Sequence, residues 1–249
     1  MKWLSVLLAT LLLVSCKHDK YKSSLIILGL KGNVKTLGQI EIKTQRKGLQ
    51  QEQDSIINKN SLQFNNRGNI SEEYTWLANN HFKRCVYKFG SAGKPEAALK
   101  YDDSIFVYKA VFHYNEDGLL TAQHQYDSKD SLNLIMHYTY DAAGNVAEEI
   151  SYWESGKFLR KYVYKHNEKG QVVACDFFNA DSALVMRSVF SYNDSGFKKE
   201  EHKYGEDDKE GWLLLYKYTG YDKHGNWTER TSYTNDKPVS VTKREFTYY

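Results

Sequence analysis

Four glutamates hold the chemistry most readily imagined for this chain. Glu72, Glu148, Glu200 and Glu229 each stand four residues after a recurring glycine, in stretches dense in tyrosine. Alternation along a strand places Glu148 across a hairpin from Tyr138 and on one face with Tyr152. The same reading sets Glu200 beside Tyr204 and Glu229 beside Tyr233. A carboxylate among aromatic rings is costly unless it is hydrogen-bonded. Two arrangements satisfy that demand. The glutamates can accept bonds from neighbouring tyrosine hydroxyls or water, or they can line a groove of Tyr and Glu suited to stacking on and bonding a glycan.

Catalysis is not expected. A glycosidase needs two carboxyl groups about 5–10 Å apart, and of these glutamates only Glu200 and Glu229 occupy adjacent units. Glutamates one unit apart should lie about two strands, ~10 Å, from each other. The histidines lack ligand spacing: His124 is expected on the aromatic face and its neighbours His113 and His137 on the other. No metal or cofactor is therefore expected. The 34 basic and 31 acidic residues are dispersed, without the basic stripe of a nucleic-acid binder. Cys85 and Cys175 lie more than three units apart on opposite expected faces, which disfavours a disulfide.

The elements that position these groups form a repeat. In residues 138–152, YTYDAAGNVAEEISY, the run Asp141-Ala142-Ala143-Gly144 has the residue types of a glycine-closed hairpin turn. The glycines at 68, 93, 118, 144, 170, 196 and 225 are separated by 25, 25, 26, 26, 26 and 29 residues. Such regularity marks a repeat architecture. Four residues before each glycine stands Phe64, Phe89, Tyr114, Tyr140, His166, Tyr192 or Tyr221. Eight after it stands Trp76, Tyr101, Tyr126, Tyr152, Phe178, Tyr204 or Tyr233. The alternation puts all of these on one face. Gly220, beside Tyr221, breaks the alternation by one residue and reads as a β-bulge.

Consecutive strands joined by short turns pair antiparallel. The expected fold is thus all-β: an antiparallel meander of about seven hairpin repeats of ~26 residues, in a curled or spiral single-layer sheet. A flat sheet of that size would expose too large an aromatic face. Residues 25–42 read as a divergent opening repeat, followed by a polar excursion over 44–54.

The Tyr-Asp-x-x-Gly core (Tyr140-Asp141…Gly144-Asn145-Val146 and Tyr221-Asp222…Gly225-Asn226-Trp227) resembles the YD or RHS repeat of bacterial surface and toxin proteins. That resemblance implies hairpins wound into a spiral β shell. Leu30-Lys31-Gly32-Asn33-Val34-Lys35 also resembles the opening of repeat-bearing lipoproteins of Bacteroides-type bacteria. Nothing matches the toxin module or self-cleavage region of the family.

Residues 1–15 read as a lipoprotein signal peptide, with Lys2 followed by an apolar run too short to span a bilayer comfortably. Leu13-Val14-Ser15-Cys16 resembles a lipobox, which implies lipid on Cys16 and membrane attachment without spanning. Residues 16–24 would be the lipidated tether and residues 25–249 a single domain. The expected role is a non-enzymatic envelope protein, on either face of the outer membrane, binding a glycan or protein ligand. The alternative is an assembly protein that docks a partner through its sheet or edge strands. An envelope glycoside hydrolase is the remote third reading.

Overall fold

The computed structural model describes residues 21–44, 55–77, 81–205 and 209–249. The expected signal peptide, Cys16 and most of the excursion at 44–54 lie outside the described residues. After a single helical turn, α1 (Ser24–Ile27), every element of the described residues is a strand. The first five strands are β1 (Val34–Lys43), β2 (Ser55–Phe64), β3 (Ile70–Trp76), β4 (Phe82–Phe89) and β5 (Pro95–Asp102). Six more follow: β6 (Ile105–Tyr114), β7 (Leu120–Asp127), β8 (Leu132–Tyr140), β9 (Val146–Trp153), β10 (Phe158–His166) and β11 (Val172–Phe178). The last five are β12 (Leu184–Tyr192), β13 (Lys198–Tyr204), β14 (Glu210–Tyr221), β15 (Trp227–Thr234) and β16 (Lys237–Tyr248).

Every strand pairs antiparallel with its neighbours in sequence, and β16 pairs with β1. The result is a closed barrel of 16 strands. This corrects the expected curled or spiral single-layer sheet of about seven hairpin repeats. The closing ladder runs from Val34↔Tyr248 to Lys43↔Ser240 and leaves no free edge among the described strands.

The glycines at 68, 93, 118, 144, 170, 196 and 225 all have positive φ and close turns at one end of the barrel. In six of these seven turns the opening Asn or Asp accepts backbone N–H bonds with its side chain, as Asp141 does from Asn145 (2.8 Å) and Asp222 from Asn226 (2.9 Å), while the turn at Gly93 opens on Gly90. At the opposite end Asp127 and Asn179 organise their turns in the same way, with Asp130 and Ser182 taking the left-handed position.

Beyond each glycine turn the ladder slips by one residue, always three positions after the glycine: at Ser71, Glu96, Thr121, Ala147, Val173, Lys199 and Thr228. A one-residue slip sends every later side chain to the other face. Tyr140 still faces Val146, but Tyr138 then faces Glu149 and not Glu148. The expected single aromatic face is accordingly wrong. Phe64, Phe89, Tyr114, Tyr140, His166 and Tyr192 point inward, whereas Trp76, Tyr101, Tyr126, Tyr152, Phe178, Tyr204 and Tyr233 lie on the outer wall.

The inward direction is fixed by burial. Buried strand residues, among them Leu37, Phe64, Cys85, Ala98, Ala110, Met136, Ser151, Ser188, Trp227 and Thr242, all share one parity. Inward tyrosines also tie neighbouring hairpins together. The hydroxyls of Tyr114, Tyr140, Tyr192 and Tyr218 donate to the carbonyls of Pro95, Leu120, Val172 and Lys198, each just before a bulge in the preceding unit. In the last unit Tyr218 takes this place because further slips around Gly220 displace Tyr221, which is 53% exposed. The bulge expected at Gly220 is thus present.

The segment before β1 lies across the glycine-turn end. Tyr21 donates to Asn69, Lys22 to Asn145, and Asn226 exchanges bonds with the Lys31 backbone. Leu25 and Leu30 pack on the buried cluster of Val34, Leu37 and Phe64. Three hairpins far apart in sequence are thereby bridged by one short stretch of chain.

Candidate functional site

The residues singled out from sequence do not converge. Tyr138 faces the lumen, while Glu148, Tyr152, Glu200, Tyr204, Glu229 and Tyr233 face outward. The expected Tyr–Glu groove is therefore split between the two sides of the wall. Outside, Glu148 lies 4.0 Å from Lys161, Glu200 lies 3.3 Å from Lys199, and Glu229 lies 4.0 Å from Lys243. Glu229 also accepts the Thr219 hydroxyl at 2.9 Å. These are partly hydrated pairs, worth about 0–1 kcal/mol each. Glu72 is held by Arg84 and the Tyr74 hydroxyl, and the Arg84 bond holds its carboxyl below the usual range despite partial burial.

His113, His124 and His137 all lie on the outer wall, contrary to the expected split, with the first two rings 4.4 Å apart. Burial, then the nearby His113 and His137, pushes His124 down. Among the described residues no three His, Cys, Asp or Glu side chains converge on a metal position. Cys85 and Cys175 are unpaired and both face inward, so their expected opposite faces are also corrected.

The lumen holds a different chemistry. Position two after each glycine points inward, and in five units it is Ile70, Leu120, Val146, Val172 or Trp227, with Pro95 in a sixth. The seventh is Lys198, whose cation stands over the Phe190 ring at 4.0 Å and 3.5 Å from Glu201. Burial pulls Lys198 below the usual lysine range, with Glu201 opposing. Glu201 is the best-satisfied carboxylate in the lumen. Lys203 lies at 3.3 Å and the Tyr216 hydroxyl donates at 2.8 Å. Burial alone would raise Glu201, but Lys198, Tyr216 and Lys203 together bring it below the usual range. Across the lumen wall Glu149, facing Tyr138 and Tyr162, is raised by burial against the pull of Arg160.

Arg230 and Arg244 complete this arc. Both guanidinium groups lie on Trp227, at 5.2 and 3.6 Å from its ring centroid. Arg230 also stands 4.6 Å from the Tyr216 ring. Sequence reasoning missed these residues because the slip at Thr228 puts Arg230, and not Glu229, inside. The spacing of two arginines from a terminal aromatic strand carries no signal on its own.

No protein-family model matches this chain, and no curated protein matches it. Solved structures do. A porin-like protein from Bacteroides uniformis aligns over 87% of this chain and 98% of its own, at 10% identity and a TM-score of 0.60. A porin-like protein from Bacteroides vulgatus covers 87% and 99% at 10% identity, with a TM-score of 0.40. A DUF1329 family protein from Desulfovibrio piger covers 86% of each chain at 8% identity, with a TM-score of 0.28. The first supports a shared barrel fold.

Proposed function

We propose that this is a non-enzymatic protein of the bacterial cell envelope, tethered to the outer membrane by lipid on Cys16, whose barrel stands in water. Its ligand, a glycan or a protein segment, is held by the aromatic and charged lining of the lumen. In this reading the Tyr-Asp-x-x-Gly units are barrel-forming relatives of YD repeats, residues 1–15 are the signal peptide, and the described barrel is the single domain.

The observation that carries the proposal is the placement of charge on the outer wall. A membrane-spanning barrel needs an apolar band about 25 Å tall, and a Lys or Arg at its midplane costs about 2–4 kcal/mol. Here the pairs Glu72–Arg84, Glu148–Lys161, Asp176–Arg187 and Glu229–Lys243 sit inside their strands on that wall. Four such cations would cost on the order of 10 kcal/mol in lipid. β3, β11 and β13 are also only 7 residues long, against the about 9–11 that a spanning strand needs.

The fold shared with a porin-like protein favours a second reading, a transmembrane pore. One experiment separates the two. Wild type should incorporate radiolabelled palmitate and fractionate with membranes, whereas C16A should lose the label and appear in the detergent-free soluble fraction. A C16A protein that stayed in the membrane would support the pore. Glycan-array binding by the soluble C16A protein tests the ligand class. Closure of the sheet leaves no free edge among the described strands, so a docking partner would have to use the face of the sheet.

A further inference from the structure

Arg230 and Arg244 lack a counter-charge. Arg230 donates to the Thr242 hydroxyl at 3.2 Å, and Arg244 donates through Nε to the Gln39 side chain at 2.8 Å. Among the described residues neither makes an ion pair with a carboxylate. The Nε of Arg230 is buried with no hydrogen-bond partner. Glu201 is already engaged by Lys198, Lys203 and Tyr216, and Glu41, on the adjoining inner wall, accepts the Ser240 hydroxyl at 2.7 Å. A partly buried cation bonded only to neutral groups is disfavoured unless something supplies the missing charge.

Beside Arg244 lies a small cavity, beneath the segment that crosses the glycine-turn end. Leu28, Gly29, Leu30, Phe197, Asn226 and Trp227 form the rest of its lining. Space, a guanidinium and an aromatic ring meet there. Burial first, and the like charge of Arg230 second, lower Arg244 to about 9. That direction means the pocket would gain from a negative charge.

We infer that Arg230 and Arg244, stacked on Trp227, form a lumenal binding site for an oxyanion, a carboxylate or phosphate, borne by the ligand. Two guanidinium groups present planar donor forks that match such a group. This rests on the lumen being the ligand site and narrows the ligand to an acidic one.

The test uses sodium phosphate, sodium glucuronate and neutral glucose against sodium chloride at constant ionic strength, read by thermal unfolding and titration calorimetry. Wild type should show saturable 1:1 binding of phosphate or glucuronate and a matching rise in Tm, with no response to glucose. R244M and R230M should lose at least tenfold in affinity, while R187M on the outer wall keeps the wild-type response. Removing a partly buried cation that has no carboxylate beside it should also leave R244M at least as stable as wild type without added anion, an outcome that a purely structural arginine would not give. Absence of a saturable response in wild type, or equal responses in wild type and R244M, would overturn the inference. Phosphate but not glucuronate binding assigns the site to phosphorylated ligands. A blank glycan array with an intact phosphate response would remove the glycan reading and leave this site standing.

Discussion

Glu229 and Arg230 are neighbours in sequence and stand on opposite sides of the barrel wall. Glu229 faces outward, 42% exposed, loosely paired with Lys243 and bonded to Thr219. Arg230 faces inward, against two aromatic rings, without a carboxylate. A similar contrast separates Glu148, paired with Lys161 outside, from Glu201, enclosed inside. The outer pairs Glu148–Lys161 and Glu229–Lys243 reach water, so they cost little and contribute little. Charge inside is desolvated, so each group there must be satisfied by a built network, as at Glu201, or by something that binds. The same residue types thus mean solubility on one side and recognition on the other.

The comparison can be broken most decisively at Glu201. E201A leaves Lys198 and Lys203 in the lumen without their carboxylate and Tyr216 without its acceptor. The loss should be about 3 kcal/mol in urea unfolding, at the low end for a broken buried pair because Lys198 remains 38% exposed. If E201A cost no more than an outer-wall change, the inner face would not be the desolvated one.

A smaller effect is expected at the tyrosines. Y140F removes the hydroxyl that caps the Leu120 carbonyl and should cost about 1 kcal/mol. Y152F, on the outer wall, should be close to silent. Equal losses at the two positions would contradict the assigned faces.

The pH dependence follows from His166, whose inward side chain is 8% exposed and 3.7 Å from Asp141. Burial lowers its pKa below the ordinary 6.5, with Asp141 opposing. A depressed histidine means the unfolded chain takes up the proton first as the solution is acidified. Stability from this group is present above pH 6.5 and is lost as the pH falls through the folded pKa. Urea midpoints measured from pH 7.5 to 5 should fall in wild type and fall less steeply in H166F. Least of all, E148A and E229A should change stability by about 0.5 kcal/mol or less.

Much of the architecture was legible in the glycines. Their spacing, the Asx side chains that open six of the seven turns and the short connections all point to antiparallel hairpins, because turn chemistry is local. The pairing of Tyr140 with Val146 follows from the same logic. Closure was not legible. It depends on bonds between β1 and β16, some 200 residues apart in positions such as Ile40 and Lys243, and no local pattern encodes that partnership.

The faces went wrong for a local reason. The bulged residues are Ser71, Glu96, Thr121, Ala147, Val173, Lys199 and Thr228, which share position but not chemistry. Without a glycine or proline to mark them, a strict alternation was carried one residue too far. Glu148 was thereby placed where Glu149 stands. The candidate site inherited the error, since six of its seven residues follow the bulge.

The closed wall is the claim on which inside and outside both depend, and Ile40 opposite Lys243 tests it most directly. In a C85S/C175S background, the pair I40C/K243C places two thiols on facing residues of an antiparallel ladder, about 4.5–5.5 Å apart at Cα and within disulfide reach. Mild oxidation of the folded monomer should yield an intramolecular crosslink, identified by mass spectrometry of the joined peptides. A folded protein that crosslinks only between chains, or not at all, would show that the first and last strands do not meet.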